Sequence, residues 1–286
     1  MPKAYFVSDL HGSTHRYEAL FRLLKENPPD VLFIGGDLFP GAMRALFNMV
    51  SADSFIDQYL TPHLKSLRYE LGSSYPDIFV ILGNDDGRFW EASVLDMAAS
   101  GYWHYLHNRR VAWRGYDLYG YNFVPPTPFR LKDWERYDVS RYVDPGCVAP
   151  AEGVLTMPVS DYELNWMTIA EDLEQLTAGQ DLHNSIFLFH TPPYQTVLDR
   201  AALDGKMIDS APLDVHVGSI AVKRLIEERQ PLLTMHGHIH ESSEITGEWS
   251  QRIGRTCSIS AAFNGPELAL VEIPLPEAKN AQRFLL

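Results

Sequence analysis

Three short apolar runs in the first third of the chain each stop at a polar turn. Residues 4–8 run into Asp9-Leu10-His11, residues 31–34 into Gly35-Gly36-Asp37, and residues 78–82 into Gly83-Asn84-Asp85-Asp86. Runs of this length and composition, closed by such turns, predict strands buried on both faces. Between the first two, residues 15–25 carry Leu20, Leu23 and Leu24 at helical spacing. Between the second and third, residues 42–71 read as helical, with a break near Thr61-Pro62. This βαβαβ rhythm predicts an α/β fold with a mostly parallel sheet and helices on its faces. Ligands in such sheets bind beyond the carboxyl ends of the strands, where these polar residues fall.

The pattern then loosens. Residues 109–122 read as one or two shorter strands rich in Tyr and Trp. Pro125-Pro126-Thr127-Pro128 breaks regular structure, and the chain reads as loops from there to about Asn165. Residues 124–165 are therefore expected to be a loop-rich insertion lying on a single domain that spans residues 1–286. Its neighbours Tyr121, Asn122, Phe123 and Trp134 are candidates for a pocket wall, although aromatic residues more often build cores. Regularity resumes with a helix at 166–177, a strand at 185–189 ending in His190, a helix at 218–229 and a strand at 232–235. That last strand leads into His236-Gly237-His238-Ile239-His240. Short β-like segments follow at 257–260 and 268–273.

Composition narrows the partners. Against 37 Asp and Glu stand 24 Lys and Arg, a formal charge of −13. A general nucleic-acid binder needs a basic face to neutralise phosphates, and an acidic surface docks poorly on anionic membranes. No apolar run approaches the ~20 residues of a membrane span. The N-terminus turns polar too early for a secretion signal, and two cysteines, Cys147 and Cys257, make no disulfide framework. These features lead us to expect a cytoplasmic protein with free thiols. Oligomeric state leaves no mark in the sequence.

The strand ends collect Asp9, His11, Asp37, Asn84, His190, His238 and His240. All offer oxygen or nitrogen, a donor set suited to Mn²⁺, Fe²⁺ or Zn²⁺. Asp9 and His11 are two apart, as are His238 and His240, so each pair can converge from one strand end. A carboxylate has two oxygens, which suits Asp37 to bridging two ions. Asp37 and Asn84 would also serve simple turns, and His190 alone would be an ordinary buried histidine. Their recurrence at successive strand ends favours chemistry.

The blocks Asp9-x-His11, Gly36-Asp37, Gly83-Asn84, His190 and Gly237-His238-x-His240, in this order, resemble the calcineurin-like metallophosphoesterases. The resemblance runs from about Tyr5 to His240. It implies a four-layer α/β/β/α sandwich, with the βαβαβ motif and two central mixed sheets between helical layers. It also implies two divalent ions, Mn²⁺ first, with Fe²⁺/Fe³⁺ or Zn²⁺ as alternatives. By position, Asp9, His11 and His240 would hold one ion, Asn84, His190 and His238 the other, and Asp37 would bridge them. Two such ions clamp phosphate oxygens and acidify water for in-line attack on phosphorus.

One departure stands out. The family's motif commonly continues Gly-Asn-His, and here Asp85 follows Asn84. Asp37, Asn84 and Asp85 are the expected catalytic group, yet a charged Asp85 repels phosphate unless a cation offsets it. A diester carries one negative charge where a monoester carries two. The expected activity is therefore hydrolysis of a phosphate ester, with a small-molecule diester ahead of a monoester. Rivals are a phosphomonoesterase, including a Ser/Thr protein phosphatase, and, further back, a nuclease or a non-catalytic metal-binding scaffold. Asp86, Arg88 and His236 are candidate supports. Asp86 would bond a ligand histidine or steady its loop, Arg88 would meet a substrate phosphate or a surface acid, and His236 would brace the ligands from behind.

Overall fold

In a computed structural model, described for residues 1–43 and 55–286, two six-stranded mixed sheets pack face to face. The first has the order β14-β13-β1-β2-β3-β4. Its strands β1 (Lys3–Val7), β2 (Val31–Gly35), β3 (Asp77–Ile81) and β4 (His104–Tyr105) run parallel, and β13 (Ala269–Pro274) and β14 (Gln282–Leu285) close one edge antiparallel. The second has the order β11-β12-β10-β7-β6-β5. Here β6 (Tyr116–Tyr121), β7 (Ser185–Phe189), β10 (Leu233–His236) and β12 (Thr256–Ser260) are parallel, with β5 (Arg109–Trp113) and β11 (Ser250–Ile253) antiparallel at the edges. A small hairpin of β8 (Met207–Ile208) and β9 (Ala211–Pro212) stands apart.

The layering follows from strand alternation. Side chains on a strand point alternately to its two faces. Ala4, Phe6, Val31, Phe33, Phe79 and Ile81 share one core with Ile186, Leu188, Leu233 and Met235 of the second sheet. Their neighbours Tyr5, Val7, Leu32, Ile34, Ile78 and Val80 turn the other way, into the core that holds Leu20 and Leu24 of the helix Thr14–Glu26 and Leu64 and Leu67 of the helix Thr61–Leu71. On the second sheet, Phe187 and Phe189 do the same against the helices Ile169–Thr177 and Ile220–Arg229. Both sheets are thus buried on both faces, which is why their parallel strands read as unbroken apolar runs. The result is an α/β/β/α sandwich.

Three sequence expectations are corrected. Of the expected helix 42–71, residues 44–54 lie outside the described residues; from Phe55 the chain is helical throughout. Thr61-Pro62 makes no break there but marks the passage from a π-helical turn, Ile56–Leu60, to the α-helix. Proline lacks the N–H that would continue the ladder, and the preceding π-helical turn, closed by the Thr61 N–H on the Ile56 carbonyl, is where the register changes. The helix expected from 166 starts at Ile169, because Thr168 caps it and Glu171 returns the bond to the cap's N–H, a capping box. The region read as loops contains a short helix, Asp161–Trp166, capped by Ser160.

Two acids, Asp133 buried and Asp138 partly buried, tie residues 124–165 to the sandwich. Asp133 accepts from the backbone N–H of Arg88 at 2.7 Å and of Thr156 at 2.8 Å. Asp138 takes the Ser219 hydroxyl and the Ile220 N–H, both at 2.6 Å, at the start of the helix Ile220–Arg229. Inside the segment Lys132 and Glu135 pair with both side chains fully buried, and Lys132 also donates to the Thr127 carbonyl at 2.8 Å.

Candidate metal centre

The carboxyl ends of β1, β2 and β3 in one sheet face those of β7 and β10 in the other. The chain passes from strand to turn at these ends through unusual backbone angles. Asp9 (φ 57°), His11 (φ 47°), Asp37 (φ 51°) and His238 (φ 75°) all lie in the left-handed region. Backbone bonds tie the turns together: Asp9 N–H to Gly36 O (3.0 Å), His11 N–H to Asp37 O (2.7 Å) and Gly237 N–H to His190 O (2.9 Å). The glycines of the motifs are needed for close approach. A Cβ on Gly36 would stand 2.6 Å from His190 Nδ1, and one on Gly237 would stand 2.7 Å from Asp9 Oδ2.

Ring nitrogens and carboxylate oxygens converge at this point. One atom each of Asp9, His11, Asp37 and His240 lie within 4.8 Å of one another. His11 Nε2 and His240 Nε2 are 3.2 Å apart, and His240 Nε2 is 3.1 Å from Asp9 Oδ1. Beside them His190 Nε2 lies 3.0 Å from Asn84 Oδ1 and 3.3 Å from Asp37 Oδ2. The His190 and His238 ring centres are 5.2 Å apart. The other nitrogen of His190, Nδ1, is 2.8 Å from the Gly35 carbonyl, which fixes its tautomer and leaves Nε2 as a donor atom. Asp37 meets both groups through one oxygen: Oδ2 is 3.7 Å from His11 and 3.3 Å from His190, while Oδ1 accepts the Asp85 N–H at 2.8 Å. Oδ2 of Asp37 thus faces both groups of donors.

The electrostatics suit cations. Burial alone would raise the Asp9 and Asp37 carboxyls, but the histidines outweigh it. Those of Asp9, led by His240, hold it well below the usual range, and those of Asp37, led by His190, hold it down to about 2. Burial alone would lower His11 and His190; instead the nearby carboxylates push both up to about 9. Two buried carboxylates are thus balanced by two histidine protons, and cations would take the place of those protons. Burial, then the charge of His190, holds His238 down to about 3, so it is a neutral nitrogen donor at ordinary pH. The residues fit a pair of divalent ions in donor chemistry and in charge.

The other expected residues have distinct places. Asp86 is fully buried and accepts three backbone N–H groups, from Leu38 (3.1 Å), Phe39 (2.9 Å) and Gly83 (2.9 Å). It steadies two turns, and no bond joins it to a ligand histidine. Burial, then the charge of Asp37, pushes its carboxyl up to about 7. Arg88 pairs with Glu163 at 3.1 Å and lies over the Trp134 ring, so its charge is already met. It also lines a cavity of about 570 Å³ together with His107, Phe123 and Arg136. Asn122 serves the frame: its Oδ1 accepts the Leu82 N–H at 3.0 Å. His236 is buried, with Nδ1 2.9 Å from the Thr191 carbonyl and Nε2 2.8 Å from the Thr234 hydroxyl, and braces the turn after His190.

Sequence reasoning missed Arg16. Its guanidinium bonds the Asp9 carbonyl and, at 2.6 Å, the Gly265 carbonyl, tying the first motif to a loop at the far end of the chain. No local pattern marks it, because its partner is 249 residues away.

The family model described as Metallophos, calcineurin-like phosphoesterase, matches residues 2–242, and the chain belongs to that family. It is accordingly a hydrolase of phosphoric ester bonds. Among solved structures, TT1561 of Thermus thermophilus is similar at 17% identity and a TM-score of 0.54, covering 99% of this chain and 98% of that one. A putative 5'-nucleotidase from Staphylococcus aureus, in complex with alpha-ketoglutarate, is similar at 14% identity and a TM-score of 0.50, covering 99% of this chain and 52% of that one. At such identities the likeness is one of fold. No curated protein shows a significant sequence match to the chain.

Proposed function

We propose that this protein hydrolyses a small phosphodiester at a centre of two divalent ions, with Mn²⁺ the favoured metal. The observation that carries this reading is the single oxygen of Asp37, 3.7 Å from His11 and 3.3 Å from His190, between two groups of donors. Asp9, His11 and His240 would hold one ion and Asn84, His190 and His238 the other, with Asp37 shared. When bound, such a pair neutralises charge on the phosphate oxygens and acidifies water. The protein's own part is to hold donors rigidly. His190 is locked by the Gly35 carbonyl, Asp37 by the Asp85 N–H, and the turns of Asp37 and Asn84 by Asp86.

Preference for a diester rests on charge. The Asp85 carboxylate stands beside the centre with its side chain 37% exposed, and the whole chain is acidic. Each added negative charge on the substrate raises the repulsion it must overcome. Long nucleic acids are disfavoured by the same charge. We read the whole chain as one domain and its home as the cytoplasm, which suits the free Cys147 and Cys257.

Rates on an aryl phosphodiester and an aryl phosphomonoester, at matched Mn²⁺, test the reading. A higher kcat/KM for the diester is expected. Faster hydrolysis of the monoester would move the assignment to a phosphomonoesterase, and failure on both would contradict it.

A further inference from the structure

Asp85 occupies the position after Asn84 where the family motif commonly has histidine, and its contacts give it a different task. Its Oδ2 lies 3.3 Å from His11 Nδ1. The opposite nitrogen of that ring, Nε2, is the one that enters the donor cluster, 3.2 Å from His240 Nε2 and 3.7 Å from Asp37 Oδ2. The backbone N–H of Asp85 meanwhile donates to Asp37 Oδ1 at 2.8 Å. Its carbonyl accepts from the Ala42 N–H at 3.0 Å, which pins the residue from a third side. The slot for the carboxylate exists because residue 41 is glycine: a Cβ there would stand 2.6 Å from Asp85 Oδ2.

We propose that Asp85 is a positioning residue for two metal ligands at once. Its carboxylate orients His11, and its N–H selects the oxygen that Asp37 presents. A carboxylate on Nδ1 holds the proton there, fixes the ring and leaves Nε2 as the coordinating atom. The carboxylate is engaged with His11 Nδ1, so the task assigned to Asp85 is to hold a ligand. This rests on the reading of His11 and Asp37 as ligands.

Mn²⁺ binding to protein first stripped with chelator, followed by calorimetry and by the spin-resonance signal of free Mn²⁺, tests the proposal without any substrate. Asp85→Ala keeps the backbone bond and loses the carboxylate. One of the two Mn²⁺ sites is expected to weaken by roughly 10–100-fold, the range for loss of such an outer partner, while the other changes little. The unchanged site reports that the variant is folded. Asp85→Asn retains an acceptor oxygen for His11 Nδ1–H and is expected to recover part of the loss. Two sites of wild-type affinity in Asp85→Ala would overturn the proposal and leave the metal reading intact. A wild-type protein that binds no Mn²⁺ would overturn both. Equal weakening of both sites, with no recovery in Asp85→Asn, would mean a general structural role and also overturn it.

Discussion

Asp9, His11, Asp37 and His238 share a backbone conformation that non-glycine residues seldom adopt. Such angles cost roughly 1–3 kcal/mol each and persist where the surroundings over-determine them, as at functional sites. Here the surroundings are explicit: backbone bonds between turns, glycines that let side chains pass, and the buried acceptor Asp86. The donor residues were legible in the sequence because each stands within a short motif at a strand end. Their supports were less so. Arg16 bonds a carbonyl 249 residues away, and the bond between Asp85 and His11 spans 74 residues. His236, expected as a brace, bonds the Thr191 carbonyl and the Thr234 hydroxyl. Burial holds its imidazole down to about 4 against an ordinary 6.5. The folded protein therefore refuses a proton that the unfolded chain accepts. This contribution is complete above pH 6.5 and is lost as pH falls towards 4, up to roughly 3 kcal/mol. The stability of wild-type protein, measured by urea unfolding, is expected to fall relative to His236→Gln across that window. Parallel profiles for the two proteins would contradict it.

At the level of elements, the parallel strands announced themselves as apolar runs because both faces of each sheet are covered. The segment 124–165 did not, because its order comes from buried polar contacts between residues distant in sequence. Asp133 reaches Arg88 across 45 residues, and Asp138 reaches Ser219 across 81. The capping box Thr168-x-x-Glu171 was open to reading and sets the helix start three residues later than apolar spacing alone suggests. Asp133 links this segment to the turn that continues from Asn84. Asp133→Ala would leave the N–H groups of Arg88 and Thr156 without acceptors. Burial of such unpaired donors costs about 1–3 kcal/mol each, so a loss of about 2–6 kcal/mol in urea unfolding is expected. A change below about 0.5 kcal/mol would show that the segment is held by other means.

For the whole molecule, the decisive fact is that the centre belongs to neither sheet alone. β1, β2 and β3 supply Asp9, His11, Asp37 and Asn84, whereas β7 and β10 supply His190, His238 and His240. The shared apolar core between the sheets therefore sets distances within the centre, such as the 2.8 Å from His190 to the Gly35 carbonyl. Charge acts on the same scale. Two divalent ions would raise the formal charge from −13 only to about −9, so the general field still repels anions. Attraction for a phosphate ester must then be local, which favours a compact substrate. Counting bound Mn²⁺ at equilibrium in wild-type protein and in Asp37→Asn decides whether seven side chains from two sheets hold two ions with Asp37 shared between them. Two ions per chain are expected in the wild type and at most one in the variant. One ion or none in the wild type, or two at unchanged affinity in Asp37→Asn, would contradict that arrangement.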